Sequence, residues 1–230
     1  MDNLPIYITV IFVLTTIFTV AFFYKAAHHS RNFLIVAVAW VIIQAVLALR
    51  IFYTVTTTIP PRIILLGIPP LLIIACLFLT TRGKHFLDGL DIKWLTILHI
   101  IRIPVELVLF WLSINKVVPQ LMTFEGRNFD IASGLMVPII YYLFFVKKSW
   151  RKSLLLTWNF ICLALLLNIV VNAVLSVPTA FQQFAFDQPN IAILYFPFNL
   201  LPAVVVPLVL LSHLAAIRKL MNKDEINPTK

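Results

Sequence analysis

The chain alternates long apolar runs with short polar or charged breaks, and no run shows the one-in-two alternation of a membrane β-strand. Seven runs are long enough to be read as helices, at about 5–25, 32–54, 61–81, 92–115, 130–147, 153–176 and 191–217. A helix needs roughly 20 residues to cross the hydrocarbon layer, and it satisfies its own backbone hydrogen bonds there. The pattern therefore predicts an all-α, polytopic integral membrane bundle of seven transmembrane helices, a single domain over 1–230. The first run begins at Pro5 with almost no basic leader and no small-residue cleavage site behind it, so it is expected to be a helix of the bundle.

The breaks between runs set the orientation. Lys25, Arg31, Arg82, Lys84, Lys93, Lys147, Lys148, Arg151, Lys152, Arg218, Lys219, Lys223 and Lys230 fall on one side; Arg62, Lys116 and Arg127 fall on the other. Short loops rich in Lys and Arg stay in the cytoplasm, which predicts an amino terminus outside and a cytoplasmic carboxyl terminus. Composition agrees: 61% of residues are hydrophobic and 12% charged, with a mean hydropathy of +0.99. A soluble domain carries about a quarter charged residues. The net charge of +9 is accounted for by anchoring beside anionic lipid, so no nucleic-acid partner is expected. The expected location is the plasma membrane, or the inner membrane in a bacterium, with oligomers allowed. Cys76 and Cys162 both lie inside apolar runs and read as small apolar fillers.

Proline and glycine add kinks. Gly67, Pro69 and Pro70 are expected to break the third helix, Pro104 the fourth and Pro138 the fifth, while Pro197, Pro202 and Pro207 punctuate the seventh. Each proline frees a carbonyl and bends its helix, and kinks in several helices make room for a cavity.

Against this apolar background a few polar residues stand out. At 100° per residue His99, Arg102 and Glu106 share one face of the fourth helix, with Thr96 and Ser113 along the same stripe. A charge at mid-membrane costs at least about 2.5–3.5 kcal/mol, so that face must point into protein or water. Arg102 and Glu106 are four residues apart and are expected to pair along their helix. Gln44, Asn168, Asn172 and Asn199 lie on other helices at similar depth, and their convergence on Arg102 and Glu106 would make a polar, ligand-binding pocket. Taken singly, each amide is better explained as an interhelical hydrogen bond.

The five histidines all fall in the inner half. His99 and His213 are the expected core of a metal site for zinc, copper or iron, with His28, His29, His85 or Asp88 completing it. No single helix carries an HxxxH or ExxH spacing to support it. The 119–130 segment, which mixes Met122 and Phe124 with Glu125, Arg127 and Asp130, is expected to fold over the outer mouth as a lid, with Asp130 capping the next helix. Residues 177–190, with Phe181, Phe184 and Phe186, suit an interfacial stretch.

Some chemistries are excluded. Residues 191–217 contain no lysine, so a retinal Schiff base cannot form there, and there is no GxSxG, HExxH or Walker loop. The leading expectation is a membrane protein that binds, and transports, a small polar or anionic molecule or ion through Arg102, with Glu106 as counter-ion or proton carrier. The alternatives are a membrane-embedded metalloenzyme built on His99 and His213 with Glu106 as general base, and a receptor-like scaffold whose polar residues only lock helices together.

Overall fold

The computed structural model describes residues 4–149 and 151–222, so Lys223 and Lys230, counted above for orientation, lie outside the described residues. The described chain is all helical, without a strand. Its helices are α1 (Ile6–Ala26), α2 (Arg31–Leu49), α3 (Ile64–Leu79), α4 (Thr81–Gly89), α5 (Ile92–Leu98), α6 (Arg102–Ile114), α7 (Ile131–Tyr141), α8 (Lys152–Leu175) and α9 (Val206–Met221). A 3-10 turn at His99–Ile101 joins α5 to α6 into one continuous rod, Ile92–Ile114. Pi turns extend α7 through Tyr142–Val146 and precede α9 at Leu201–Val205.

Among the described residues, five helices are long and apolar enough to cross a membrane: α1, α2, Ile92–Ile114, α8 and Leu201–Met221. The pair α3 and α4, bent by 94°, makes a sixth if counted as one span, and Ile131–Val146 is a shorter apolar helix. Their outward faces carry large exposed apolar side chains, among them Ile35, Ile42, Val46, Leu72, Phe160 and Val171. In water such surfaces would associate; in lipid they cost nothing.

The core lies where α1, the α5–α6 rod and α9 meet, with α7 and α8 closing the far side. Asp130, just before Ile131–Val146, pairs with Arg102 at 2.6 Å, and Arg102 lies halfway along the rod, so the chain leading to this helix runs into the bundle. Met122, Thr123 and Asn128 are accordingly buried. The 119–130 segment is thus anchored in the interior by these residues while Gln120, Glu125, Arg127 and Phe129 stay exposed, and Asp130 makes no capping bond to α7.

Other boundaries depart from the apolar runs. The helix expected to reach residue 54 ends at Leu49, because Ile51 adopts a left-handed backbone (φ 58°) that a helix cannot continue through. The helix expected from 191 begins at Leu201; residues 191–200 are mostly buried turns around a 3-10 turn at Ala192–Leu194, with Phe196 exposed. The third helix is not broken at Pro69 and Pro70, which lie within continuous α3. The break comes at Thr80, whose hydroxyl caps α4 by accepting from Gly83 N–H at 3.1 Å. There α4 folds back so closely that a Cβ on Gly83 would run into the Leu77 backbone. The polar α4, with Arg82, Lys84, His85 and Asp88, is a surface helix where the sequence pattern showed only a loop.

For two of the prolines, Pro69 and Pro207, α2 answers the carbonyl that is freed. Proline at position i leaves the carbonyl at i−4 without its N–H. The orphan of Pro69 is the Leu65 carbonyl, which accepts from Gln44 Nε2 at 3.4 Å. The orphan of Pro207 is the Ala203 carbonyl, which accepts from the Trp40 indole at 2.9 Å. Two polar side chains within the apolar body of α2 therefore serve as backbone partners for neighbouring proline-containing segments.

Candidate functional site

Arg102 is the centre of the buried polar cluster. It opens α6 directly after the 3-10 turn, and that turn faces the start of α7, where Gly134 brings the two backbones together. Arg102 Nη1 donates to Asp130 Oδ1 at 2.6 Å and to the Cys162 carbonyl of α8 at 3.3 Å. Its Nη2 lies 2.8 Å from His213 Nε2 of α9. One guanidinium thus ties α6 to α7, α8 and α9, at 2% exposure.

The expected pairing of Arg102 with Glu106 is replaced by this cross-bundle pair with Asp130. Asp130 reaches the arginine because α7 starts at the depth of Arg102. Glu106, one turn along α6, instead accepts from Asn128 Nδ2 on Oε1, while Asn128 also donates to the Met122 carbonyl at 3.0 Å. Glu106 Oε2 is buried and has no hydrogen-bond partner among the described residues.

Hydrogen bonding settles the state of His213. A guanidinium only donates, so His213 Nε2 must be the accepting nitrogen. The proton is then on Nδ1, which donates to Asn159 Oδ1 at 2.9 Å, and Asn159 Nδ2 in turn donates to the Leu155 carbonyl at 2.9 Å. His213 is a neutral imidazole with both nitrogens engaged. His99 stacks on it with ring centroids 3.9 Å apart and planes 13° from parallel, and Trp158 meets His99 edge-on at 5.5 Å. Both His99 ring nitrogens are buried without a partner among the described residues.

This geometry does not assemble the expected metal site. His213 has no lone pair left for a cation, and no group of three or more His, Cys, Asp or Glu side chains gathers as a metal site among the described residues. The other expected ligands are elsewhere. His28 Nε2 lies 2.9 Å from the Gly89 carbonyl, His29 stacks edge-on with Tyr24, and His85 is on α4. Asp88 receives Arg218 Nε and Nη2 at 2.7 and 2.8 Å, one on each carboxylate oxygen.

That Arg218 hydrogen bonding holds the Asp88 carboxyl below its ordinary range. A carboxylate whose folded value is depressed stabilises the fold above its unfolded pKa, and the contribution disappears as pH falls through the folded value. Asp88→Asn is therefore expected to lower the unfolding midpoint at pH 7, and the gap to wild type is expected to narrow as the pH falls below the ordinary aspartate value of about 3.9. A constant gap across that range would show that the carboxylate's charge is not the source.

Nor do the amides converge on Arg102. Gln44 faces α3 and accepts from the Tyr53 hydroxyl at 2.6 Å, while Asn199 Nδ2 donates to the Gln44 carbonyl at 3.0 Å. Asn168 donates to the Arg127 carbonyl at 2.9 Å, and Asn172 donates back to the Asn168 carbonyl at 2.9 Å. These residues join helices and loops, because an amide in an apolar bundle bonds the nearest freed carbonyl.

Beside the cluster lies a cavity of about 430 Å³. Its walls come from one face of α3 (Leu66, Gly67, Leu71), from α8 (Leu166, Val170, Ala173), from the Leu201–Val205 turn and α9, and from Val105 and Leu109 of α6. Arg102, Glu106 and Asp130 are the charged residues of its lining, and none of the four amides nor either buried histidine belongs to it. The pocket is thus oily with one ionic corner. Asp130, Asn128 and Asn159 are the site residues that a reading of the sequence misses.

A family model described as a domain of unknown function (DUF8737) matches residues 59–221, from just before α3 to the end of α9. No curated protein and no solved structure matches the chain.

Proposed function

We propose a function for this chain, which belongs to the DUF8737 family, on the strength of its cavity: it binds a small molecule between α3, α6, α8 and α9 and carries it within or across the membrane. One observation carries this reading. An apolar cavity of about 430 Å³ ends at Glu106, whose Oε2 is buried, unpartnered and next to an arginine already matched by Asp130. Sites for small molecules run to about 300–1,000 Å³ and combine apolar walls with a few polar groups. A helix lock alone would leave neither the volume nor the spare acceptor.

The reading includes seven membrane crossings: α1, α2, α3, Ile92–Ile114, Ile131–Val146, α8 and Leu201–Met221. The distribution of Lys and Arg supports an amino terminus outside and a cytoplasmic α4, in the plasma membrane or a bacterial inner membrane. Because Arg102 is neutralised within the bundle, Glu106 rather than Arg102 is the group offered to a ligand, and a simple anion is disfavoured. The cavity test compares small molecules extracted from purified wild type and from Ala173→Trp, which fills the cavity from α8. A species present in wild type and lost from a folded Ala173→Trp is the expected result; identical extracts would overturn the reading.

A further inference from the structure

The ligand class follows from counting charge around the cavity. Arg102 contributes one positive charge, and Asp130 pairs with it at 2.6 Å. His213 is neutral by its hydrogen bonds to Arg102 and Asn159. Glu106 is left as a second carboxylate with no cation of its own in the lining, and α3, α8 and α9 present only apolar side chains to the cavity. Asn128 satisfies Oε1 alone, so Oε2 is a buried acceptor at 1% residue exposure. A buried carboxyl without a counter-charge is costly to ionise, by several kcal/mol, and a ligand that brings a cation favours the ionised form there.

The route to this carboxylate is also distinctive. α8 packs on α9, and α3 packs on α9 and its π turn, but α3 and α8 are not packed together along their length, and the cavity occupies the space between them. Its rim carries Ile64, Ile68 and Leu71 from α3 and Leu167 and Val174 from α8, each 39% exposed or more. In a bilayer that mouth opens sideways onto acyl chains, not onto water. A molecule entering there needs an apolar body, while the inner end asks for a positive hydrogen-bond donor.

Resting on the proposed cavity function, we infer that the ligand is a single-chain cationic amphiphile that enters from the lipid between α3 and α8, its tail along α3, α8 and α9 and its protonated amine on Glu106 Oε2. A long-chain amine combines the two required features; a fatty acid would bring a third carboxylate beside Asp130 and Glu106, and an alcohol would leave the charge unmatched.

The test uses three probes of equal chain length, dodecylamine, dodecanol and dodecanoate, with the full-length protein in detergent, counting bound molecules by native mass spectrometry and following the unfolding midpoint. Wild type is expected to bind dodecylamine at least tenfold more tightly than either of the others. Glu106→Gln is expected to erase that preference while keeping the weak alcohol binding, which also shows that the variant folds. Equal binding of amine and alcohol by wild type would overturn the amine assignment and leave the cavity reading standing. Binding of all three that is unchanged in Ala173→Trp would overturn both, because the probes would then be on the outer surface.

Discussion

Asp130→Ala is expected to lower the stability of the folded bundle by about 3–5 kcal/mol, the largest loss of any single substitution considered for this protein. The carboxylate removed is the counter-ion of Arg102, held at 2.6 Å with both side chains nearly inaccessible. Without it the guanidinium keeps its bonds to the Cys162 carbonyl and to His213 but has no opposite charge in contact. Glu106, on the next turn and anchored by Asn128, is not positioned to replace it. The loss corresponds to roughly two to four powers of ten in the folded-to-unfolded ratio, and it is read as the unfolding midpoint in detergent. The decisive comparison is the double variant Arg102→Met with Asp130→Leu. Removing both charges should restore most of the loss, because the pair costs desolvation to bury in the first place. A double variant as damaged as Asp130→Ala would mean that the fold needs the arginine's ties to α8 and α9 more than it needs neutrality.

That arrangement also shows what the sequence conveys and what it withholds. The apolar runs place helices to within a few residues wherever a helix stands straight in the bundle, as with α1, the α5–α6 rod and α8, because long apolar segments have few alternatives. The stripe of His99, Arg102 and Glu106 is legible as a buried face from its spacing alone, and all three are buried. Their partners were not legible. Asp130 reads as a helix cap because it precedes an apolar run, and only the shortness of Ile131–Val146 hints that this helix begins inside the bundle. Gln44 reads as a site residue, yet it and Trp40 both serve carbonyls freed by prolines on other helices. The freed carbonyl is predictable from Pro69 or Pro207, but the side chain that reaches it depends on packing between α2 and its neighbours. His99 and His213 do meet, stacked face to face; what spacing could not reveal is that Arg102 and Asn159 already occupy both nitrogens of His213.

Gly134→Leu is the second large effect, expected to cost at least the about 1–3 kcal/mol typical of overpacking a tight interior. A Cβ at this position would lie 2.9 Å from Ile103 Cγ1, 3.2 Å from the Ile103 nitrogen and 3.3 Å from the His99 carbonyl oxygen. Two of these three atoms are backbone of the α5–α6 rod, so a rotamer change cannot make room and α7 must move as a body. Small residues at such crossings let membrane helices approach closely. Here the approach has a further consequence, because Gly134 is one turn along α7 from Asp130. Displacing the helix lengthens the ion pair to Arg102, so the two substitutions act on one interaction. Gly134→Leu combined with Asp130→Ala should therefore cost less than the sum of the single losses. Gly67→Ala supplies the contrast: nothing among the described residues lies within 4 Å of its added Cβ, and near the start of α3 the change should stabilise by up to about 0.5–1 kcal/mol. Strict additivity at Gly134 and Asp130 would show that α7 yields locally around the new side chain, leaving the Arg102 pair in place.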